Sequence, residues 1–337
     1  MNFKVLSILS VIIILPTSCK LNEPVLERFA GFTQGTTYSI IYEPLSESDP
    51  EEIKQAVEKI FNDIDFSLSL YNDSSVIARI NRNETETPDA YFKEIFVRSK
   101  EIWELTDGAF DITVGPLVTA WGFGPDARKS FNQSRLDTLL ALVGFDKIML
   151  IDDLLVKSDP DIVLDLNAIA QGYTVDIVYR YFDSQGFQNY LIEIGGEVRV
   201  KGQKGSEYWK IGIDKPADDN VIPGENLQAI IRLKDKALAT SGNYRKFYIE
   251  NGIKYSHTID PRTGYPAKNR LLSATIICGD CTAADGIATA CMVMGTEKSI
   301  EFIERNREFE AYFIFSDEEG KYLSWVSKNL ERWINEE

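Results

Sequence analysis

The stretch from Thr240 to Gly295 constrains this chain most. Asn251-Gly252 separates two strand-like runs, Lys246–Glu250 and Ile253–Ile259. An Asn-Gly pair adopts positive φ at both positions at little cost, so it closes a tight antiparallel hairpin. A further strand is expected over Ser273–Cys278, then a helix of small residues over 283–294. Asp285 and Thr289 stand four apart on that helix, which puts both on one face. The only histidine, His257, lies in the same stretch, in His257-Thr258-Ile259-Asp260-Pro261. A carboxylate, a hydroxyl and a titratable imidazole so close in sequence suggest a site for a metal and a phosphorylated ligand. Thr282-Ala283-Ala284-Asp285 also fits a helix-start capping pattern, in which Asp285 only satisfies backbone N–H groups. His257 likewise reads as a hydrogen-bonded strand residue. The residues leave these alternatives open.

The rest of the chain reads as α+β with mostly antiparallel strands, and no linker divides it. Phe29–Tyr42 alternates as a hairpin with Gly35 at its turn. Asp49-Pro50-Glu51-Glu52 opens a helix with an apolar stripe of Ile53, Val57, Ile60, Phe61 and Ile64. A polar loop over Ser67–Ser75 leads to a short helix ending near Asn81, and a longer helix runs from about Pro88 to Leu105. The mixture of Gly, Pro, Asp and aromatics from Ala109 to Gly124 fits a ligand-facing loop or a structural turn cluster. A helix over 134–143 and strands over 147–151 and 155–157 follow. Ile162–Leu166 reads as a buried strand feeding a helix from Ala168 to Ser184, a junction that aims fresh N–H groups outward as anion sites do. Tyr190–Lys201 reads as one strand interrupted by Gly195-Gly196. Trp209–Asp214, Leu227–Leu233, Ala311–Ser316 and Lys321–Val326 are further strands, with a helix near 297–306 and a charged helix at the C-terminus.

Composition narrows the function. At 44% hydrophobic and 26% charged, the 337 residues are those of a globular protein. A formal net charge of −16 argues against nucleic acid, whose phosphates need a basic surface. A phosphorylated ligand would need a bound cation, helix N-termini or placed Lys and Arg to offset that field. Met1–Lys4 is a short basic segment and Val5–Leu15 an apolar run too short to span a bilayer, as in an export signal. Leu15-Pro16-Thr17-Ser18-Cys19 resembles a bacterial lipoprotein processing site, with Pro16 where such sites usually carry Leu. Residues 1–18 are therefore expected as a signal peptide, Cys19 as the lipidated residue and 19–27 as a tether, leaving 337 − 18 = 319 mature residues. Ordinary cleavage with a free thiol is the other reading. The protein is then expected to be exported and lipid-anchored on the periplasmic side of a bacterial membrane. Cys278-Gly279-Asp280-Cys281 has ligand-like spacing without a second pair to complete a zinc site. Either a 278–281 disulfide forms, or Cys278 and Cys291 are core residues and Cys281 a loop thiol.

Several motifs resemble a known family when taken in order. They are Gly108-Ala-Phe-Asp-Ile-Thr-Val-Gly-Pro-Leu117, Asp165-Leu-Asn-Ala-Ile-Ala-Gln-Gly-Tyr173, Ile194-Gly-Gly196, Ala239-Thr-Ser-Gly-Asn-Tyr244, His257-Thr-Ile-Asp-Pro-Arg-Thr-Gly264 and Ala284-Asp-Gly-Ile-Ala-Thr-Ala290. Gly35-Thr-Thr-Tyr38 and Trp121-Gly-Phe-Gly124 fit as well. Together they are similar to the ApbE family, the FAD:protein FMN transferases, and cover nearly all of the mature chain.

The resemblance implies a single ApbE-like domain over 28–337, mostly antiparallel sheets flanked by helices. It implies cleavage of FAD, attachment of FMN through a phosphoester to a Thr or Ser of an acceptor flavoprotein, and release of AMP. The cofactor implied is Mg2+, held by the Ala168 carbonyl and the side chains of Asp285 and Thr289. The flavin nucleotide is expected at Gln34, Ala109, Phe110, Asp111, Gln171, Gly195, Gly196, Ser241 and His257–Ile259, with His257 as base and Asp285 as the alternative. Many members carry Lys or Glu in place of Gln171 and Met in place of Gln34, changes that would retune flavin affinity. An FAD pyrophosphatase and a flavin-binding lipoprotein without turnover remain as competing expectations.

Overall fold

An eight-stranded antiparallel sheet runs through the structure, a computed structural model that describes residues 25–123, 133–216, 224–243, 247–250, 253–256 and 258–336. Its first hairpin joins β1 (Glu27–Thr33) to β2 (Thr36–Tyr42). Gln34 and Gly35 take φ of 50° and 73°, the left-handed pair that a two-residue turn needs. α1 (Pro50–Leu68) begins as expected, with the Asp49 carboxylate accepting the Glu51 N–H at 2.8 Å and Pro50 in the first turn. It also takes in Ser67 and Leu68, expected in the loop, because Leu68 is buried and the Ser67 hydroxyl donates to Asp89. α2 (Val76–Asn81) and α3 (Ala90–Leu105) follow, capped by Ser75 and Asp89.

The irregular run after Gly108 holds a 3-10 turn at Ile112–Val114 and then a helix, α4 (Gly115–Trp121). Pro116 is tolerated there because the first turn has no use for its missing N–H. α5 (Gln133–Leu140) leads to a small hairpin, β3 (Ile148–Ile151) and β4 (Leu154–Lys157). Residues 162–166 are largely buried but form no strand. The Asn81 side chain replaces the missing ladder: it donates to the Leu164 carbonyl at 2.9 Å and accepts the Leu164 N–H at 2.8 Å. α6 (Ala170–Ser184) starts two residues later than expected.

The run from Tyr190 to Lys201 is a hairpin rather than one strand. β5 (Tyr190–Ile194) and β6 (Glu197–Lys201) pair antiparallel, with Ile194 opposite Glu197. Gly195 and Gly196, at φ 68° and 109°, are the turn itself. β7 (Trp209–Asp214) and β8 (Leu227–Leu233) stand where the sequence predicts them. β9 (Ala237–Gly242), β10 (Phe247–Glu250), β11 (Ile253–Ser256) and β12 (Leu271–Cys278) come next. β10 and β11 pair antiparallel with Glu250 opposite Ile253, the register expected of a hairpin between them. β9 has almost no β-formers; its place between β6 and β12 imposes the conformation.

α7 (Cys281–Met294) and α8 (Thr296–Arg305) precede β13 (Glu310–Ser316) and β14 (Tyr322–Val326). In place of a charged C-terminal helix there is a 3-10 turn at Glu331–Trp333 and a strand, β15 (Ile334–Glu336). β15 pairs with β8 while Trp333 and Ile334 cover the core beside it, and that burial overrides the local charge pattern.

The sheet order is β1-β2-β5-β6-β9-β12-β13-β14, and a second sheet runs β15-β8-β7. Strand alternation assigns each face. Ala274, Ile276, Ala311 and Phe313 face α3 and α7, whereas Ile277, Tyr312 and Ile314 join Trp209 and Ile231 of the second sheet. Tyr42, Tyr190 and Ile192 pack with Val57 and Phe61 of α1 and Phe182 of α6. Each fully buried aliphatic or aromatic side chain of this kind contributes about 1.5–3 kcal/mol, so α6 and α7 are fixed firmly against one face.

Cys278, Cys281 and Cys291 are free and buried. Cys281, expected on a loop, is wholly buried in the first turn of α7. Burial pushes the Cys278 and Cys291 thiols up to about 12. Cys19 and the apolar run before it lie outside the described residues, and no described helix is long and apolar enough to cross a membrane.

Candidate active site at the meeting of two helix N-termini

α6 and α7 bring their first turns together, and each supplies a carboxylate to the other. Asp285, in the second turn of α7, accepts the Gly172 N–H of α6 at 3.0 Å. The approach is so close that a Cβ on Gly172 would strike the Cys281 carbonyl oxygen and lie 2.7 Å from the Asp285 Cβ. In return Asp176 of α6 accepts the N–H groups of Cys281 at 2.9 Å and Thr282 at 2.8 Å, and the Thr282 hydroxyl at 2.5 Å. Arg199 of β6 closes on Asp176 at 2.6 Å. Asp280 is the residue that caps α7, through the Ala283 N–H at 2.9 Å. The capping pattern over Thr282–Asp285 is therefore not used: Asp285 serves another helix.

Asp285 is buried, and that burial raises its carboxyl well above the ordinary carboxylate value; the Gly172 N–H draws it partly back, and the nearby Asp176 charge adds to the rise. One turn on, the Thr289 hydroxyl lies 3.3 Å from the Ser241 hydroxyl on β9. Ala168 sits on the turn into α6, four residues before Gly172. That turn is shaped by Asp165, whose carboxylate accepts the Asn167 N–H at 2.8 Å. Among the described residues no three His, Cys, Asp or Glu side chains gather as a metal cluster. A cation at this junction would depend on one carboxylate with hydroxyl and carbonyl oxygens, the donor set of a hard ion.

The tip of the β1–β2 hairpin reaches the same end of α6. The Gln34 amide donates to the Thr174 hydroxyl at 2.6 Å, and that hydroxyl donates to the Ala170 carbonyl at 2.7 Å. Gln34 Oε1 is buried and has no partner among the described residues. Gln171 passes over the β5–β6 turn, where a Cβ on Gly195 would lie 2.9 Å from both Gln171 Nε2 and the Thr36 methyl. Gly196 has open space beside it, and its N–H bonds Glu193 at 2.9 Å.

The remaining expected contacts lie differently. Ala109 and Phe110 are 1% and 2% exposed, so their side chains belong to the core. Asp111 uses its carboxylate internally, accepting from the Thr113 N–H at 2.8 Å, the Thr113 hydroxyl at 2.6 Å and the Phe145 N–H at 3.0 Å. Burial still raises its pKa above the ordinary carboxylate value. Asp111 borders a cavity of about 540 Å³ that Trp103, Gly144, Pro261 and Arg262 also line. Ile259 is buried with Leu117, Trp121 and Leu136. His257 lies outside the described residues. Sequence reasoning missed Asp176, Arg199 and Thr174. A signal was present: Asp176 stands between Val175 and Ile177 in an otherwise apolar helical run, where an ionised group requires partners.

Comparison with known proteins extends this geometry. The sequence profile of the ApbE family matches residues 34–313. A FAD:protein FMN transferase of Vibrio cholerae is 38% identical over 287 residues, 83% of this chain and 85% of that protein. One from Escherichia coli K12 is 30% identical over 330 residues, 95% and 92% of the two chains. The solved flavin transferase ApbE of Vibrio cholerae superposes with a TM-score of 0.81 at 34% identity, covering 92% of this chain and 99% of that one. With its helix junction, hairpin turns and sheet spanning the matched region, the chain belongs to the ApbE family.

Proposed function

We propose that this protein is an FAD:protein FMN transferase: it cleaves FAD, attaches FMN to a Thr or Ser hydroxyl of a target redox protein, and releases AMP. The observation that carries this reading is the buried Asp285 carboxylate at the first turn of α6, beside the Thr289 hydroxyl, in a chain of this family. A buried carboxylate that accepts one backbone N–H, one turn from a hydroxyl, is a donor set that a divalent cation completes. Asp285, Thr289 and the Ala168 carbonyl would hold Mg2+. When bound, it withdraws negative charge from the pyrophosphate.

The chain's own groups do the rest. The start of α6 favours anions through its N–H groups and dipole. Gln34, Gln171 and the β5–β6 turn would orient the nucleotide at that helix end. In the transfer step the acceptor hydroxyl oxygen bonds to the FMN phosphorus. The bond from that phosphorus to the bridging oxygen breaks, and AMP leaves with the oxygen. The hydroxyl proton passes to a base, which we assign to His257, with Asp285 the alternative. Such a reaction depends on positioning and charge neutralisation more than on covalent chemistry. The Val5–Leu15 run and Cys19 support an exported, lipid-anchored enzyme facing acceptors on the periplasmic side. Water differs from an acceptor hydroxyl only as nucleophile, so the same site would also serve an FAD pyrophosphatase.

The test is incubation with FAD, Mg2+ and an acceptor carrying an Asp-x-x-x-x-Ser/Thr segment. Flavin fluorescence that stays with the denatured acceptor, matched by AMP release, is the expected result. Free FMN and AMP without labelling would replace transfer by hydrolysis, and no AMP at all would leave only flavin binding.

A further inference from the structure

The carboxylate of Asp176 is almost wholly buried, and it is among the most heavily bonded groups at the junction. It is 3% exposed and takes donors from two other elements: two backbone N–H groups and a hydroxyl from α7, and a guanidinium from β6. Arg199 is itself held, its guanidinium 3.7 Å above the centre of the Tyr179 ring. Asp176 thus ties the start of α7 to the middle of α6 and both to the main sheet. Asp285 stands one helical turn after Cys281, with its carboxylate on the α6 backbone at Gly172. The two bonds act in opposite directions across one contact: α6 holds α7 through Asp176, and α7 holds α6 through Asp285.

We infer that Asp176 is a positioning residue for the cation site: by pinning the first turn of α7, it sets where Asp285 and Thr289 present their oxygens. This rests on the reading of that site given above. A single asparagine exposes the dependence. One oxygen of Asp176 takes the Cys281 N–H and Arg199, and the other takes the Thr282 N–H and hydroxyl. In Asp176→Asn the amide NH2 must replace one of them and face donors in either orientation. The start of α7 must then shift or lose bonds, although side-chain volume is unchanged. Groups that orient metal ligands without touching the metal typically change affinity by about 10–100-fold.

The experiment is titration of the full exported chain with Mn2+, reading free Mn2+ by electron paramagnetic resonance, alongside thermal unfolding. Wild type should bind Mn2+, and Asp176→Asn should bind it about tenfold or more weakly while still folded at the titration temperature. A purely stabilising role would lower the melting temperature and leave the Mn2+ affinity of the folded chain unchanged; that result overturns the inference. If Asp176→Asn does not fold, Thr282→Val removes only the hydroxyl donor and keeps the shape. Its Mn2+ affinity should fall about threefold, a smaller share of the same effect, and wild-type affinity there overturns the inference too. A wild-type chain that binds no Mn2+ would overturn the cation site and this inference together, whereas equal affinities overturn the inference alone.

Discussion

Asp111 and Asp285 are both buried aspartates raised by desolvation, and they do opposite things. Asp111 accepts three hydrogen bonds from its own neighbourhood, two from Thr113 and one from Phe145, and thereby ties the segment after α3 to the turn that precedes β3. Asp285 accepts one, from the backbone of another helix, and stands one turn from a hydroxyl. A carboxylate with its acceptor capacity used locally is a structural element. One held by a single donor has oxygen capacity left for a cation. Burial alone does not separate the two; the donor count does.

Substitution should break that symmetry. Asp285→Asn keeps size and an acceptor for the Gly172 N–H but removes the charge. Initial-rate assays should show FMN transfer lower by about 10²–10³-fold or more, with a melting temperature near wild type. Near-wild-type turnover would remove Asp285 from the chemistry. Asp111→Ala should do the reverse. It leaves the Thr113 and Phe145 N–H groups unpaired in the core and should cost about 2–3 kcal/mol in denaturant unfolding, with turnover by the folded fraction reduced far less.

Gly172→Ala tests the contact between the helices. The new methyl meets the Cys281 carbonyl and the Asp285 Cβ, so α6 and α7 must separate slightly. Stability should fall by about 1–3 kcal/mol, as overpacking does, and the Mg2+ concentration for half-maximal rate should rise. The smallest effect is expected for Thr174→Val, which removes the Gln34 partner at constant volume. About 1 kcal/mol of hydrogen bonding is lost there, to be seen as a several-fold weaker FAD affinity in fluorescence titration.

Much of this was legible in the residues, and the reasons for the exceptions are physical. The Asp49 cap, the Gly35 turn and the four-residue spacing of Asp285 and Thr289 are local signals, and the structure obeys them. The Gly195-Gly196 pair was ambiguous because an interruption within a strand and a turn between strands share a composition; only the pairing of Ile194 with Glu197 decides. β9 is a strand by position, since Ala237–Gly242 carries no strand signal of its own. The C-terminal strand follows from burial of Trp333 and Ile334 against a sheet more than a hundred residues earlier in the chain, as Ile334 pairs with Ile231. Of the residues now at the helix junction, the sequence singles out Asp285, Thr289 and Ser241 but not Asp176. Its apolar neighbours Val175 and Ile177 signal that a charge there needs partners, but the partners come from α7 and β6, which no local pattern identifies.

Oxygens of Ala168, Asp285 and Thr289 are proposed to hold one divalent ion at the start of α6. Anomalous diffraction from crystals grown with Mn2+ tests it most directly. The expected result is a single strong peak about 2.1–2.3 Å from an Asp285 carboxylate oxygen, the Thr289 hydroxyl and the Ala168 carbonyl. A peak elsewhere, with those three oxygens turned away from one another, would contradict it.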